Sequence, residues 1–85
     1  MQIEWHVKTV RVQNYLSLEV AFNDGTKGMV SISPEWLTGV FSALENPKIF
    51  NAVSVKHGAV TWANGLDLDP KTMHEAIKMN GQYSI

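Results

Sequence analysis

Leu16, Leu18, Val20 and Phe22 alternate with Ser17, Glu19 and Ala21, the period of two that a half-buried strand requires. Asn23-Asp24-Gly25 follows at once. Asp-Gly supplies the positive φ values of a tight hairpin, so the chain is predicted to return antiparallel through Gly28, Val30 and Ile32. Upstream, Trp5 and Val7 share one parity and Val10 and Val12 the other. The apolar phase therefore shifts near Lys8-Thr9, as a bulge or bend would cause, and this opening strand is expected to change faces. Downstream, Val53 and Val55 alternate with Ser54 and Lys56, and His57-Gly58 separates them from Ala59, Val60, Thr61 and Trp62. A two-residue loop at His57-Gly58 sets Lys56 against Ala59, Val55 against Val60 and Val53 against Trp62, with one wholly apolar face.

Two stretches carry the helical period instead. Ser33-Pro34-Glu35 combines a capping hydroxyl, a first-turn proline and an acid, and so opens a helix. Trp36, Leu37, Val40, Phe41 and Leu44 then form one stripe, and Asn46-Pro47 ends it. Gly39 inside this main helix implies close packing against the sheet, where a side chain would not fit. Asn64-Gly65 makes another turn, and Asp69-Pro70 opens a short final helix with Met73, Ala76 and Ile77 inward, closed by Asn80-Gly81. The tail after Gly81 is expected to be loose. The fold class is α+β: an antiparallel sheet of about five strands, two hairpins plus an N-terminal strand, packed against one main helix, with a short C-terminal helix. Trp62 is expected to be buried against that main helix.

Composition narrows the chemistry. The chain has 85 residues, 45% of them hydrophobic, and is read as a single domain over residues 1–85. Seven Lys+Arg against eight Asp+Glu leave a net charge of -1, so no overall field favours nucleic acid or an anionic membrane. No cysteine is present, which removes disulfides, thiol nucleophiles and thiolate metal sites. The opening residues show no basic stretch followed by an apolar one, and no membrane-spanning run occurs, so a cytoplasmic protein is expected.

Catalytic and cofactor motifs each fall short. His74-Glu75-Ala76-Ile77-Lys78 approaches the zinc-protease helix motif, but Lys78 occupies the position of the second imidazole. A solvated helix face, with Lys71, Glu75 and Lys78 in local ion pairs, is the preferred reading of His74. Asn64, Asp67 and Asp69 cluster oxygens, but Thr72 and Lys78 stand where a calcium loop started from Asp67 needs Gly and Glu. Asn64 is better read as a turn residue and Asp69 as a helix cap, which leaves Asp67 unexplained. No nucleophile elbow or phosphate-cradling loop is present. Catalytic residues, metal and cofactors are therefore all expected to be none. Stacking on nucleic acid would need exposed aromatics beside basic residues. Trp5 and Tyr15, near Lys8 and Arg11, form the one candidate patch, and nucleic-acid binding is not expected for this chain alone.

Trp5-x-Val7, Phe22-x-Asp24-Gly25, Pro34 through Gly39-Val40-Phe41 with Leu44, Pro47, Phe50, and Trp62-x-Asn64-Gly65-x-Asp67-Leu68-Asp69-Pro70 resemble the small bacterial family called domain of unknown function 2442. The most specific stretch of the resemblance is the loop Trp62, Asn64, Gly65, Asp67, Asp69 and Pro70. The resemblance implies an α+β fold like the N-terminal domain that some members fuse to a helix-turn-helix. It implies no assigned activity, and it implies a two-protein arrangement of toxin-antitoxin type. No helix-turn-helix pattern lies in these 85 residues, and His74 stands near where relatives carry an aromatic.

The leading functional expectation is a non-enzymatic protein-interaction module, one half of a two-protein regulatory pair or a homodimer. Its partner surface is expected at Trp5, Tyr15 and Met29, because a sheet covered on one side leaves its other face or an edge uncovered. Met29→Glu is expected to disrupt it. The alternative is a small ligand- or metal-binding protein, or an enzyme, using Asn64, Asp67 and Asp69 with His57 or His74 brought near. Whether those side chains converge or diverge decides between them.

Overall fold

The computed structural model describes residues 3–62 and 65–85, with the side chain of Val40 outside that description. β1 (Val7–Asn14), β2 (Ser17–Phe22) and β3 (Lys27–Ser31) form an antiparallel meander. In β1 the register jumps between Val7, opposite Phe22, and Thr9, opposite Ala21. This is the bulge that the phase shift predicts. Its effect is the reverse of the expected change of face: Val7, Val10 and Val12 lie opposite Phe22, Val20 and Leu18, so the extra residue keeps all three valines on the core side. Between β2 and β3, the Gly25 N–H donates to the Phe22 carbonyl (3.0 Å), the Phe22 N–H donates to the Thr26 carbonyl (2.8 Å) and Gly25 has φ +89°. That is a three-residue loop with one left-handed residue, one residue longer than a two-residue Asp-Gly turn.

The sheet is mixed, and this corrects the antiparallel five-strand expectation. Its order is β1-β2-β3-β6, and β6 (Gln82–Ser84) lies parallel to β3. The tail expected to be loose is thus a sheet strand. Gly81, at φ +79°, reverses the chain and donates its N–H to the Ile77 carbonyl at 2.7 Å, and Met29, Val30 and Ser31 then meet Gln82, Tyr83 and Ser84. β4 (Ser54–Lys56) and β5 (Ala59–Thr61) form a separate two-stranded sheet. Their register is the expected one, with Lys56 opposite Ala59 and Val55 opposite Val60. His57 (φ 53°) and Gly58 (φ 76°) both have positive φ, as a mirror-image two-residue turn requires. This hairpin lies close to β1, and one backbone bond joins its tip to that strand, Val7 N–H to the Gly58 carbonyl at 2.8 Å. No ladder forms between β1 and this hairpin, and the two sheets stay separate.

The expected main helix is also corrected. Residues Pro34–Trp36 and Gly39–Glu45 are two 3-10 segments, separated by Leu37 and an extended Thr38, and the second opens on Gly39 at φ +57°. No atom lies within 4 Å of a Cβ built on Gly39. This glycine therefore supplies a left-handed backbone where the chain breaks its helix, and close packing plays no part. Ser33 still caps, accepting from the Glu35 N–H at 3.3 Å, and Leu37 and Leu44 still reach the core.

α1 (Pro47–Phe50) is a single turn capped by Asn46. The longest helix is the C-terminal one, α2 (Pro70–Asn80), and none among the described residues is long and apolar enough to cross a membrane. α2 lies against β3 at Gly28, where a Cβ would come within 2.6 Å of Ile77 Cγ2 and 2.8 Å of the Gly81 carbonyl oxygen. The core joins the inner face of the sheet (Leu18, Val20, Phe22, Val30) to Phe50, Val60, Trp62 and Met73. Trp62 is 2% exposed, and its indole N–H donates to the Phe50 carbonyl at 3.0 Å. It packs against α1, in place of the expected long helix.

Candidate functional site

The residues of the family-motif loop separate. Asp69 accepts from the Lys71 N–H at 3.1 Å and from the Thr72 hydroxyl at 2.8 Å, so both carboxylate oxygens cap α2. Pro70 occupies the first helical turn, where a missing N–H is harmless. Asp67 lies on the other side of β5, in an antiparallel bridge with Thr61. Trp62 and Gly65 are held by backbone bonds: the Trp62 N–H donates to the Leu66 carbonyl (2.8 Å) and the Gly65 N–H to the Trp62 carbonyl (3.0 Å). Asn64 lies outside the described residues. Among the described residues no group of three or more His, Asp or Glu side chains is arranged to hold a metal ion.

His74 is the clearest departure from expectation. Instead of a solvated helix face it is buried at 8% exposure, its Nε2 2.8 Å from Asp24 Oδ2 and its ring edge-on to Phe22 at 4.9 Å. Asp24 Oδ1 meanwhile accepts from the Thr26 N–H at 3.0 Å. The Thr26 amide first, and His74 second, hold the Asp24 carboxyl well below its ordinary 3.8. A pair of this kind, 50 residues apart, ties the β2–β3 turn to α2. The available sequence signal was His74 lying three residues before Ile77 on the inward stripe. Tyr83 on β6 is half-buried, and burial first, with the Asp69 charge second, raises its phenol above the ordinary value of 10.0.

What does converge is the outward face of the β4–β5 hairpin. The alternation that sends Val55 and Val60 inward leaves Ser54, Lys56, Ala59 and Thr61 outward. Trp5 and His6, just before β1, fold over the hairpin tip: the His6 ring rests on Gly58, and Trp5 stands edge-on to His6 at 4.7 Å. Trp5, His6, Lys56, Ala59 and Thr61, together with His57, Asp67 and Pro70, line an open pocket of about 320 Å³. A second hollow of about 280 Å³, toward Trp62 and Gly65, shares Lys56 and Thr61 with it. Thr61 is held in place by its hydroxyl, which donates to the Leu66 carbonyl at 2.9 Å. His57 and Asp67 are thus brought together at the pocket, while Asp69 and His74 are engaged elsewhere.

The three residues expected to bind a partner do not share one patch. Trp5 precedes β1 and Tyr15 follows it, and an eight-residue strand reaches roughly 26 Å. Tyr15 is 49% exposed, yet its hydroxyl donates to the Glu45 carbonyl at 2.9 Å and its ring meets Phe50 edge-on at 5.8 Å. Met29 is half-buried on the open face of the sheet, in a row with Arg11, Glu19 and Gln82. Arg11 and Glu19 form an ion pair there at 3.0 Å.

No curated protein and no solved structure matches this chain. A family model does, that of the protein of unknown function DUF2442, over residues 7–78. That span runs from the start of β1 to the last turn of α2 and takes in the bulge, both hairpins and the capped loop before α2, and the chain belongs to the DUF2442 family.

Proposed function

We propose that the chain is a non-enzymatic protein-interaction module that takes up a strand from a second protein chain along the edge of β1. The observation that supports this reading is the state of that edge. β1 is the longest strand and lies at one end of the sheet. Among the described residues a single backbone bond, from Val7 to Gly58, reaches it from outside the sheet. Val10 and Val12 stay half-buried on its core side, apolar surface that an added strand would cover. Trp5 and Tyr15 stand at its two ends. Exposed Lys8 and Arg11 discourage indiscriminate pairing.

The second strand comes from another copy of this chain or from the other half of a two-protein regulatory pair of toxin-antitoxin type in a bacterial cytoplasm. Light scattering at micromolar concentration, alone and with the product of a neighbouring short gene, separates the two sources. Strand addition expects Val12→Lys to dissociate the assembly and Met29→Glu, on the open face, to leave it intact. Dissociation by Met29→Glu alone moves the interface to the sheet face. A monodisperse 9.5 kDa species under all conditions overturns the reading.

A further inference from the structure

We propose that the pocket over the β4–β5 hairpin binds a small zwitterion of the α-amino-acid type, a role independent of the β1 edge. The inference starts from where the charges stand. Lys56 belongs to β4, Asp67 is bridged to the far side of β5, and both line the pocket. Asp67 bridges Thr61, which pairs with Ser54, so its backbone stands two strand spacings across and two residues along from that of Lys56, roughly 12 Å away. Among the described residues the ion pairs are Arg11–Glu19 and His74–Asp24. Neither the Lys56 ammonium nor the Asp67 carboxylate is spent on the protein, although each opens onto the same hollow.

The ligand class follows from that pairing of signs. A simple anion would share the pocket with Asp67, and a simple cation would share it with Lys56. A molecule carrying a carboxylate and an ammonium satisfies both, its carboxylate toward Lys56 and His57 and its ammonium toward Asp67. Trp5, Ala59 and Pro70 supply apolar wall for a hydrocarbon body. At about 320 Å³ the pocket is at the small end of ligand sites, which run from roughly 300 to 1,000 Å³. Its walls are preset by the His6 ring on Gly58 and by the Thr61 bond to the Leu66 carbonyl, so little ordering is required on binding.

The test is an NMR titration of the ¹⁵N-labelled full chain with L-leucine, L-phenylalanine and L-serine. Two singly charged analogues of leucine are run beside them, 4-methylpentanoate and 3-methylbutylamine. At least one amino acid should give saturable shifts confined to the amides of residues 5–6, 54–61 and 65–67. If leucine binds, each analogue should be weaker by about ten-fold or more, the usual loss when a charged hydrogen-bonding partner is removed. Lys56→Met should bring leucine down to the level of the amine, and Asp67→Asn to that of the acid. Both positions are exposed, and an otherwise unchanged spectrum shows that the variants fold. No saturable shift at these amides with any of the three amino acids overturns the proposal, as does an analogue that binds as tightly as leucine.

Discussion

At the scale of single residues, two side chains carry more than their size suggests. Trp62 fills the space beside Phe50 and also satisfies the carbonyl of that residue through its indole N–H. Trp62→Ala removes both the ring and the bond, and is expected to cost roughly 3–5 kcal/mol in a denaturant titration, with a lowered midpoint. An unchanged midpoint would make Trp62 a contact residue instead. Asp24 acts through charge. Its carboxyl is held below its ordinary value by the Thr26 amide and His74, so it binds its proton less readily in the folded chain than in the unfolded one. The stabilisation is fully present above the unfolded value, about 3.9, and is lost as pH falls through the lower folded value. Asp24→Asn is expected to flatten the acid limb of a melting-temperature profile below about pH 4. The wild-type slope surviving in the variant would show that other carboxylates set it.

At the scale of elements, the seat of α2 on the sheet rests on the absence of a side chain at Gly28. Gly28→Ala places a methyl group against Ile77 and against the Gly81 carbonyl oxygen. The second contact is backbone and cannot rotate away, so a loss of about 1–3 kcal/mol is expected by thermal or chemical unfolding. A variant as stable as the wild type would mean that α2 shifts freely. Elements written in local chemistry were legible in the sequence: the β2 alternation, the His57-Gly58 turn with its register, the bulge after Val7, and the Asp69-Pro70 start of α2. Those set by tertiary choice were not. The stripe from Trp36 to Leu44 has helical spacing, yet it is split into two 3-10 segments, the second opening on Gly39 in a left-handed backbone, and nothing in its neighbours distinguishes that use of glycine from close packing. The candidate site was partly legible. Asp67 stood out as the unexplained member of the Asn64, Asp67 and Asp69 cluster, while the approach of Trp5 and His6 to the β4–β5 tip depends on contacts across some fifty positions of sequence that no local pattern encodes.

At the scale of the whole molecule, the sheet is completed from the far end of the chain. Ile85 donates its N–H to the Ser31 carbonyl at 2.9 Å, and Tyr83 stands opposite Val30. Truncation after Gly81 is therefore expected to lower the unfolding midpoint by an amount equivalent to about 1–3 kcal/mol, since it removes a row of ladder bonds and a half-buried aromatic ring. If the truncated chain melts like the wild type, β6 is an ornament on a sheet that stands without it. The parallel pairing also orders events in time. While the chain is being made, the β2–β3 hairpin emerges with Leu18, Val20 and Val30 facing outward, and α2 and β6, which complete its packing, follow only about 40 residues later. A nascent chain stalled before residue 70 would present a sticky, half-covered sheet to its surroundings. Its yield in the cell should then depend on how quickly the ribosome passes β6 and on which chaperone reaches the hairpin first.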